Sequence, residues 1–391
     1  MEKKKILFVN PSLRQGGVEH ALVTTLRCLD PEKYEITLFL YTDMTDLLPD
    51  VPHTVKTVVR PDTTKYFRLP YPALLFGLYS FFRALKKPDT ADRFRAEMYR
   101  YIHSRKIARP AEKIFPHAEF DAVVSYSLHI GTEMALRVKA KKHIAVMHSS
   151  DPDYHREIIE GDLRAYDAVI AVSERVAEVY KKNYPALAQK ITHIDNYVDG
   201  PRILKMAGEQ PADLPEAGDR FLIATCGRLS HEKGFDLAVS AAERLKNAGL
   251  LFLWLFIGDG DERKALEEAI REKGLRDRIR ILGFRENPYP YMAACDLYVQ
   301  PSYEEAQPLV LLEAMLLGRP IVSTDTVGGR HILENGKKGV LTERSGDSIA
   351  DAVLSLARDP ERLRSFMPEG SVEENLRARA RYVEAWDRAL L

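Results

Sequence analysis

With 391 residues the chain is long enough for two domains of ordinary size, each with its own core. Lys plus Arg and Asp plus Glu balance at 57 each, so no global field argues for nucleic acid as a partner. Three cysteines, Cys28, Cys226 and Cys295, lie far apart in no ligand-like spacing, which gives neither a disulfide framework nor a zinc site. No unbroken apolar run reaches the roughly 18 residues of a transmembrane helix.

MEKKKILFVN turns straight into a strand rather than the longer apolar stretch of a signal peptide, so a cytosolic chain is expected. Residues 6–9 read as a buried parallel strand, followed by a loop over 10–17 and a helix over 18–29 with Leu22, Leu26 and Leu29 on its apolar face. Gly16 and Gly17 before that helix allow close backbone approach to a ligand, or simply make the strand-to-helix turn. Further strands are expected at 35–41, 55–59, 121–126, 143–147, 168–172 and 191–194, with helices between most of them. One helix follows Ser173, a good N-cap. This alternation implies a doubly wound parallel sheet, in which ligands bind beyond the carboxyl ends of the strands. His148 stands at such an end, directly after IAVM, as a structural histidine or a site residue.

Residues 60–113 break the rhythm, with thirteen Lys or Arg against five Asp or Glu. Leu74, Leu75, Leu78, Phe81, Phe82 and Leu85 fall on one helical side, flanked by Lys65, Arg68, Arg83, Lys86 and Lys87. That pattern predicts an interfacial helix on an anionic membrane surface; packing of the stripe on its own sheet is the alternative.

The second half begins at QPADLPEAG, residues 210–218, a Pro- and Gly-rich bridge expected at the edge of a linker. A strand over 221–225 opens into CGRLSHEKGFDLAVSAAERL. Arg228 and Lys233 on that strand-to-helix loop, bracketed by Gly227 and Gly234, make a diphosphate clamp, or else a solvated basic loop. A strand over 251–257 runs into GDGDERKALEEA, where Arg263 occupies the third glycine position and rules out a dinucleotide fingerprint. Strands over 279–282 and 297–299 lead to PSYEEAQPLVLLEAMLLGRPIVSTD. Here Pro308 suits a first helical turn, Leu309, Leu312 and Leu316 recur at helical spacing, and Gly318 suits the end. Glu305 then lies on the loop entering a helix and Glu313 within it, seven residues intervening. A loop carboxylate beside free helix N–H groups can take sugar hydroxyls while those groups take a diphosphate; two solvated glutamates on an amphipathic helix is the plain alternative. The fold class is therefore α/β, two similar doubly wound halves facing each other. A final helix, with Leu376, Ala380, Val383, Trp386 and Leu390 on one face, is expected at the end of the chain.

GRLSHEKG, the FIGDGDER turn, LGFRENPYPYMAACDLYVQPSYEEA and the Glu305-x7-Glu313 unit resemble the donor half of family-4 retaining glycosyltransferases of the GT-B fold. QGGVE, HSSDPDY, YDAVIAVSERV and HIDNYVD resemble that family's N-terminal half, so the likeness spans nearly the whole chain outside residues 60–113. It implies an acceptor-binding Rossmann-like domain over 1–205 carrying the 60–113 insertion, a nucleotide-sugar-binding domain over 206–372, and a returning helix over 373–391. It further implies that Gly16 and Gly17 approach the donor phosphates and that His148 lies beside the reacting sugar. Arg228 and Lys233 would stabilise the departing diphosphate. Glu305 would hold donor-sugar hydroxyls, Glu313 would hold the ribose, and Leu309 would join them at the donor. No cofactor or metal is expected, the donor being a UDP- or GDP-linked sugar. The expected partners are that donor, a glycan or lipid-linked acceptor and an anionic membrane at its cytoplasmic face; the expected context is cell-surface polysaccharide synthesis.

Two departures stand out. The family follows its first glutamate with Gly-Phe-Gly or Gly-Phe-Pro, whereas Ala306-Gln307-Pro308 stands here, and His331 occupies a position where many members carry glutamate. Asp151-Pro-Asp153 and Asp259-Gly-Asp261 match the D-x-D pattern of metal-dependent transferases, a triplet common by chance. A sugar-nucleotide epimerase and a non-catalytic sugar-nucleotide-binding subunit are the alternative functions.

Overall fold

A computed structural model describes residues 2–59, 80, 114–127, 131–149, 163–211, 213–216, 218–367 and 371–391. The basic and aromatic stretch over 60–113, apart from Ser80, and Asp151-Pro-Asp153 lie outside the described residues.

Internal contacts divide the chain into two units, one of Met1–Asp195 with Arg381–Leu391 and one of Asn196–Ala380. The first unit carries β1 (Lys4–Asn10), α1 (Gly17–Cys28), β2 (Tyr34–Leu40), β3 (Lys56–Val59), β4 (Phe120–Ser125), α2 (Gly131–Leu136), β5 (Ala140–Met147), β6 (Ala168–Ala171), α3 (Glu174–Asn183) and β7 (Ile191–His193). Its strands form one sheet in the order β3-β2-β1-β4-β5-β6-β7, every pairing parallel, with Ile6 opposite both Ile36 and Ala122. Continuous apolar runs such as Ile6 to Val9, at most 1% exposed, are what a sheet covered on both faces requires. The order reverses beside β1, so the carboxyl ends of β1 and β4 form the topological switch point. Ser173 caps α3 by accepting from the Val176 N–H at 3.3 Å.

The second unit carries α4 (Gly200–Ala207), β8 (Phe221–Cys226), α5 (Phe235–Asn247), β9 (Phe252–Ile257), α6 (Arg263–Glu272), β10 (Ile279–Gly283), α7 (Tyr289–Ala294), β11 (Leu297–Gln300), α8 (Leu309–Leu316), β12 (Ile321–Thr324), α9 (Val327–Ile332), β13 (Val340–Thr342), α10 (Gly346–Ala357) and α11 (Pro360–Ser365). Its sheet is again parallel throughout, in the order β10-β9-β8-β11-β12-β13, reversing between β8 and β11. One face is filled by Phe235, Trp254, Phe256 and Val353, the other by Ile203, Leu255, Tyr298 and Leu311. Both cores are therefore aromatic and aliphatic on each side of the sheet, which pins the strand ends that carry the site.

The boundary falls at 195/196 rather than at the expected 205/206. Val198 and Ile203 are buried in the second core, so α4 is packed into the second unit. Residues 210–218 consequently lie within that unit and are not its inner edge. Several elements escaped the sequence reading, among them α4, α7, α10 and α11; GGRHILENGKKGVL, read only as a loop, supplies most of α9 and the first two residues of β13.

The last helix, α12, spans Ser371–Leu390, and its residues from Arg381 onward belong to the first unit. Its buried face is Tyr382, Trp386 and Leu390, whereas Leu376 is 50% exposed and Ala380 is exposed. The first turns are held instead by polar bonds, with the Asn375 amide donating to the Val198 carbonyl and accepting from the Tyr197 hydroxyl. Trp386 stacks on Tyr126 and packs against Phe8. Thr25 Oγ1 donates to the Ala21 carbonyl at 2.8 Å, so the Tyr382 and Tyr126 hydroxyls, 2.6 and 2.9 Å away, both donate to it. Trp386→Ala should then cost about 3–5 kcal/mol, as large aromatic truncations in cores do. Chemical denaturation of wild type and variant measures this, and an unchanged midpoint would refute the packing.

Candidate active site

The site of the second unit is built where β8 and β11 end. After β8 the chain passes through Gly227 and Arg228 to a short 3-10 turn, His231–Lys233, and then Gly234. Gly234 has φ +65°, and a Cβ there would sit 2.1 Å from the Pro301 carbonyl oxygen, so only glycine lets this turn press against the loop after β11. Tyr303 fastens the same two loops. Its N–H donates to the Glu232 carbonyl at 2.9 Å, its ring lies 4.9 Å from that of His231, and its hydroxyl donates to Asp236 at 2.6 Å.

Held this way, Lys233 reaches across to Glu305. Lys233 Nζ is 2.8 Å from Glu305 Oε1, and Glu305 is only 8% exposed. Two more donors point at the same oxygen, Ser302 Oγ at 2.9 Å and Gln300 Nε2 at 3.1 Å. A buried carboxylate is tolerated when it is paired and hydrogen-bonded, and three donors meet that need. The Glu305 main chain is fixed as well, its carbonyl accepting from the Gly328 N–H at 2.8 Å. A Cβ at Gly328 would lie 2.6 Å from both the Ala306 carbonyl oxygen and Pro308 Cδ, so α9 starts against the loop that follows Glu305.

Pro308 is the N-cap residue of α8, in extended conformation, one position before the first helical residue Leu309 rather than inside the first turn. At the other end Gly318, φ +70°, donates to the Met315 carbonyl and Arg319 donates to that of Ala314, the paired bonds of a Schellman motif. Leu311, Ala314 and Leu316 are the buried residues of α8, while Leu309 and Leu312 are half-buried. Glu313 sits on α8 and accepts from the Tyr289 hydroxyl at 3.2 Å. Burial raises its carboxyl to about 7, with the Tyr289 bond opposing, so it titrates near neutrality. Burial, and next the charge of Glu313, push the Cys226 thiol up to about 12, which makes it unreactive. Arg228 is exposed on the loop after β8. Asp259, first residue of one D-x-D triplet, is engaged by Arg263 at 2.7 Å and by the Gly260 N–H at 2.8 Å.

The other expected residues lie in the first unit. Gly16 is the N-cap residue of α1 and Gly17 its first residue, with nothing within 4 Å of where a Cβ on Gly17 would be. His148 follows β5 and lies 2.8 Å through Nε2 from the Tyr126 carbonyl. That carbonyl only accepts, so Nε2 carries the hydrogen and Nδ1 is left as an acceptor. Burial depresses the imidazole to about 4, keeping it neutral at physiological pH. Tyr126 in turn donates its N–H to Val9, which ties His148 to the carboxyl end of β1.

Within the second unit the structure thus brings Lys233 and Glu305 into direct contact and sets Arg228 on the same loop as Lys233, with Leu309 and Glu313 on α8. Gln300, Ser302, Tyr303, Tyr289 and Gly328 complete the site and were not singled out from sequence. A glutamine closing the otherwise apolar strand LYVQ was the available signal.

Residues 207–371 match the family described as Glycosyl transferases group 1, and residues 15–200 match Glycosyltransferase Family 4. An alpha-D-kanosaminyltransferase of Streptomyces kanamyceticus is 26% identical over 357 residues, 82% of this chain and 89% of that protein. An amylovoran biosynthesis glycosyltransferase of Erwinia amylovora is 27% identical over 294 residues, 69% of each. Among solved structures, Anabaena HepE in complex with UDP and glucose superposes with a TM-score of 0.72 at 19% identity, covering 99% of both chains. WaaG, a glycosyltransferase of lipopolysaccharide biosynthesis, gives 0.65 at 16% identity over 97% of this chain and 95% of that one. Two parallel Rossmann-like sheets, the Lys233–Glu305 site and two family matches that together run from residue 15 to residue 371 lead to one conclusion: the chain belongs to the family-4 glycosyltransferases of the GT-B fold.

Proposed function

We propose that this glycosyltransferase moves a sugar from a nucleotide-diphosphate sugar to a glycan or lipid-linked acceptor with retention of configuration and without a metal ion. The observation that carries this is the Lys233 ammonium, fixed by buried Glu305 beside the loop that opens α8. Lys233 and Arg228 supply positive charge where a diphosphate gains negative charge as its bond to the sugar breaks. Such preorganised electrostatics substitutes for a divalent cation. The acceptor hydroxyl attacks from the face the diphosphate leaves, and the leaving phosphate takes its proton, so the protein's work is positioning. Glu305 receives hydroxyls of the donor sugar, Glu313 those of the ribose, and Leu309 lies beside the donor. Gly16 and Gly17 give the phosphates room at the start of α1, and His148, neutral with Nδ1 as acceptor, lies beside the reacting sugar. The UDP complexes of HepE support UDP as the first base to try, with GDP as the second.

A panel of UDP- and GDP-sugars screened by thermal shift tests the donor assignment. A ligand that binds only the native state stabilises by about 2.7 kcal/mol at a hundredfold excess over its Kd. One or more sugar nucleotides should raise Tm in wild type and less in Glu313→Gln; no shift with any member would end the reading. Incubation of the active donor alone separates the epimerase alternative, which would return an altered sugar nucleotide.

The 60–113 stretch extends the proposal to the anionic cytoplasmic face of a membrane, where a lipid-linked acceptor of polysaccharide synthesis would be met. Each basic residue near such a surface contributes about 1 kcal/mol. No helix among the described residues is long and apolar enough to cross a membrane. Liposome co-sedimentation should show binding that needs anionic lipid, weakens with salt, and is lost when Phe81 and Phe82 become Ser and Lys86 and Lys87 become Glu. Equal partitioning onto neutral and anionic vesicles, or none onto either, would contradict it.

A further inference from the structure

We infer that Gln300 is a positioning residue for the donor sugar: by saturating one oxygen of Glu305 it leaves the other, Oε2, as the single acceptor for a sugar hydroxyl. The inference rests on the assignment of Glu305 to the donor sugar made above.

Hydrogen-bond bookkeeping around Gln300 gives one consistent answer. The residue is 2% exposed at the carboxyl end of β11. Its Oε1 accepts from the Tyr298 hydroxyl at 3.0 Å, and its two amide protons go to Ser302 Oγ at 2.7 Å and Glu305 Oε1 at 3.1 Å. Turning the amide over would set its oxygen against a carboxylate oxygen, so the orientation is fixed by chemistry. Ser302 accepts from Gln300 and spends its one proton on Glu305 Oε1 at 2.9 Å. Tyr298 is anchored in turn at the end of β8, where its hydroxyl accepts from the Cys226 N–H at 3.2 Å; the Cys226 carbonyl lies at 3.2 Å as a second acceptor, and the shorter 3.0 Å contact directs the proton to Gln300. Donors therefore run in one direction, from the end of β8 through Tyr298, Gln300 and Ser302 into Glu305, with Lys233 arriving from the opposite loop at 2.8 Å.

Three consequences follow. Glu305 Oε1 carries three donors and has no capacity for a fourth partner, while Oε2 takes part in none of these bonds. Glu305 acts as an acceptor toward all three partners, so a sugar hydroxyl that meets Oε2 must itself donate. The carboxylate plane is set by protein groups before any donor arrives, which is the preorganisation that differential transition-state binding requires. A donor hydroxyl placed to reach Oε2 is accepted; one placed elsewhere finds a saturated oxygen. Gln300 thereby sets donor-sugar selectivity at a residue that never touches the sugar.

Gln300→Met keeps the length of the side chain and removes both donors and the acceptor. With the nucleotide sugar that stabilises wild type and its free nucleoside diphosphate as probes, the variant should bind the diphosphate within about twofold of wild type. Turnover of the sugar nucleotide should fall at least tenfold. In a Glu305→Gln background the same change should cost less than twofold further, because both act through one oxygen. Ser302→Ala, a smaller change that removes one donor to that oxygen, should show the same pattern more weakly and serves if the methionine variant fails to fold. Unchanged turnover in both variants, an equal loss of diphosphate affinity, or a full tenfold loss added to Glu305→Gln would each overturn the inference. Full activity of Glu305→Gln alone would instead remove the role of Glu305 on which it rests.

Discussion

Lys233→Ala and Arg228→Ala each lower turnover by roughly 100- to 1,000-fold, a barrier increase of about 3–4 kcal/mol, while donor affinity falls much less. The reason is that charge on the diphosphate grows as the glycosidic bond breaks, so a fixed cation gains more at the transition state than in the bound donor. The two variants differ in a useful way. Lys233 is the cationic partner of a buried carboxylate, and removing it leaves Glu305 with two neutral donors, so Lys233→Ala should also lower thermal stability. Arg228 is exposed and its removal should leave stability near wild type. Steady-state kinetics beside a melting curve reads both effects; unchanged turnover in both variants would dismiss the clamp.

Glu305→Gln should chiefly lower turnover and Glu313→Gln chiefly raise the donor's KM. Contacts to the reacting sugar can tighten along the reaction, whereas ribose contacts change little. The surroundings of the two carboxylates sharpen the contrast. Glu305 accepts from Lys233, Ser302 and Gln300, while Glu313 has one neutral partner and a carboxyl raised to about 7. The form of Glu313 that accepts ribose hydroxyls is ionised, so donor affinity should weaken as pH falls from 8 to 6. That dependence should flatten in Glu313→Gln. Kinetic effects in the reverse order would mean that the division of roles is wrong.

Most strands were legible because they are short apolar runs closed by turn residues, as in ILFV after the basic N-terminus and FLWLFI before GDGDER. Lys233, Glu305 and Glu313 could be picked out because cations on a strand-to-helix loop and carboxylates at a helix entrance are chemically pointed even in one dimension. Their pairing was not legible. Lys233 and Glu305 are 72 residues apart, and only the fit of Gly234 on Pro301 together with the bonds of Tyr303 brings them to 2.8 Å. The domain boundary was misplaced because a Pro- and Gly-rich segment looks like a linker whether or not it packs, and the buried side chains that decide the matter, Val198 and Ile203, precede it. In α12 the heptad-like series from Leu376 pointed to one face, but tertiary partners chose Tyr382, Trp386 and Leu390. The strand β13 has three residues after a polar, glycine-rich stretch, too short for any period to show.

The central claim is that a sugar leaves its diphosphate with retention, assisted by Lys233 and Arg228 in place of a metal. It is tested most directly by following the slow hydrolysis of an α-linked donor by proton NMR in the presence of a chelator. Water then stands in for the acceptor, and the first sugar released reports the face of attack before mutarotation scrambles it. The account predicts initial appearance of the α anomer at a rate that the chelator does not change and that Lys233→Ala nearly abolishes. Initial release of the β anomer, or loss of the reaction on chelation, would contradict it.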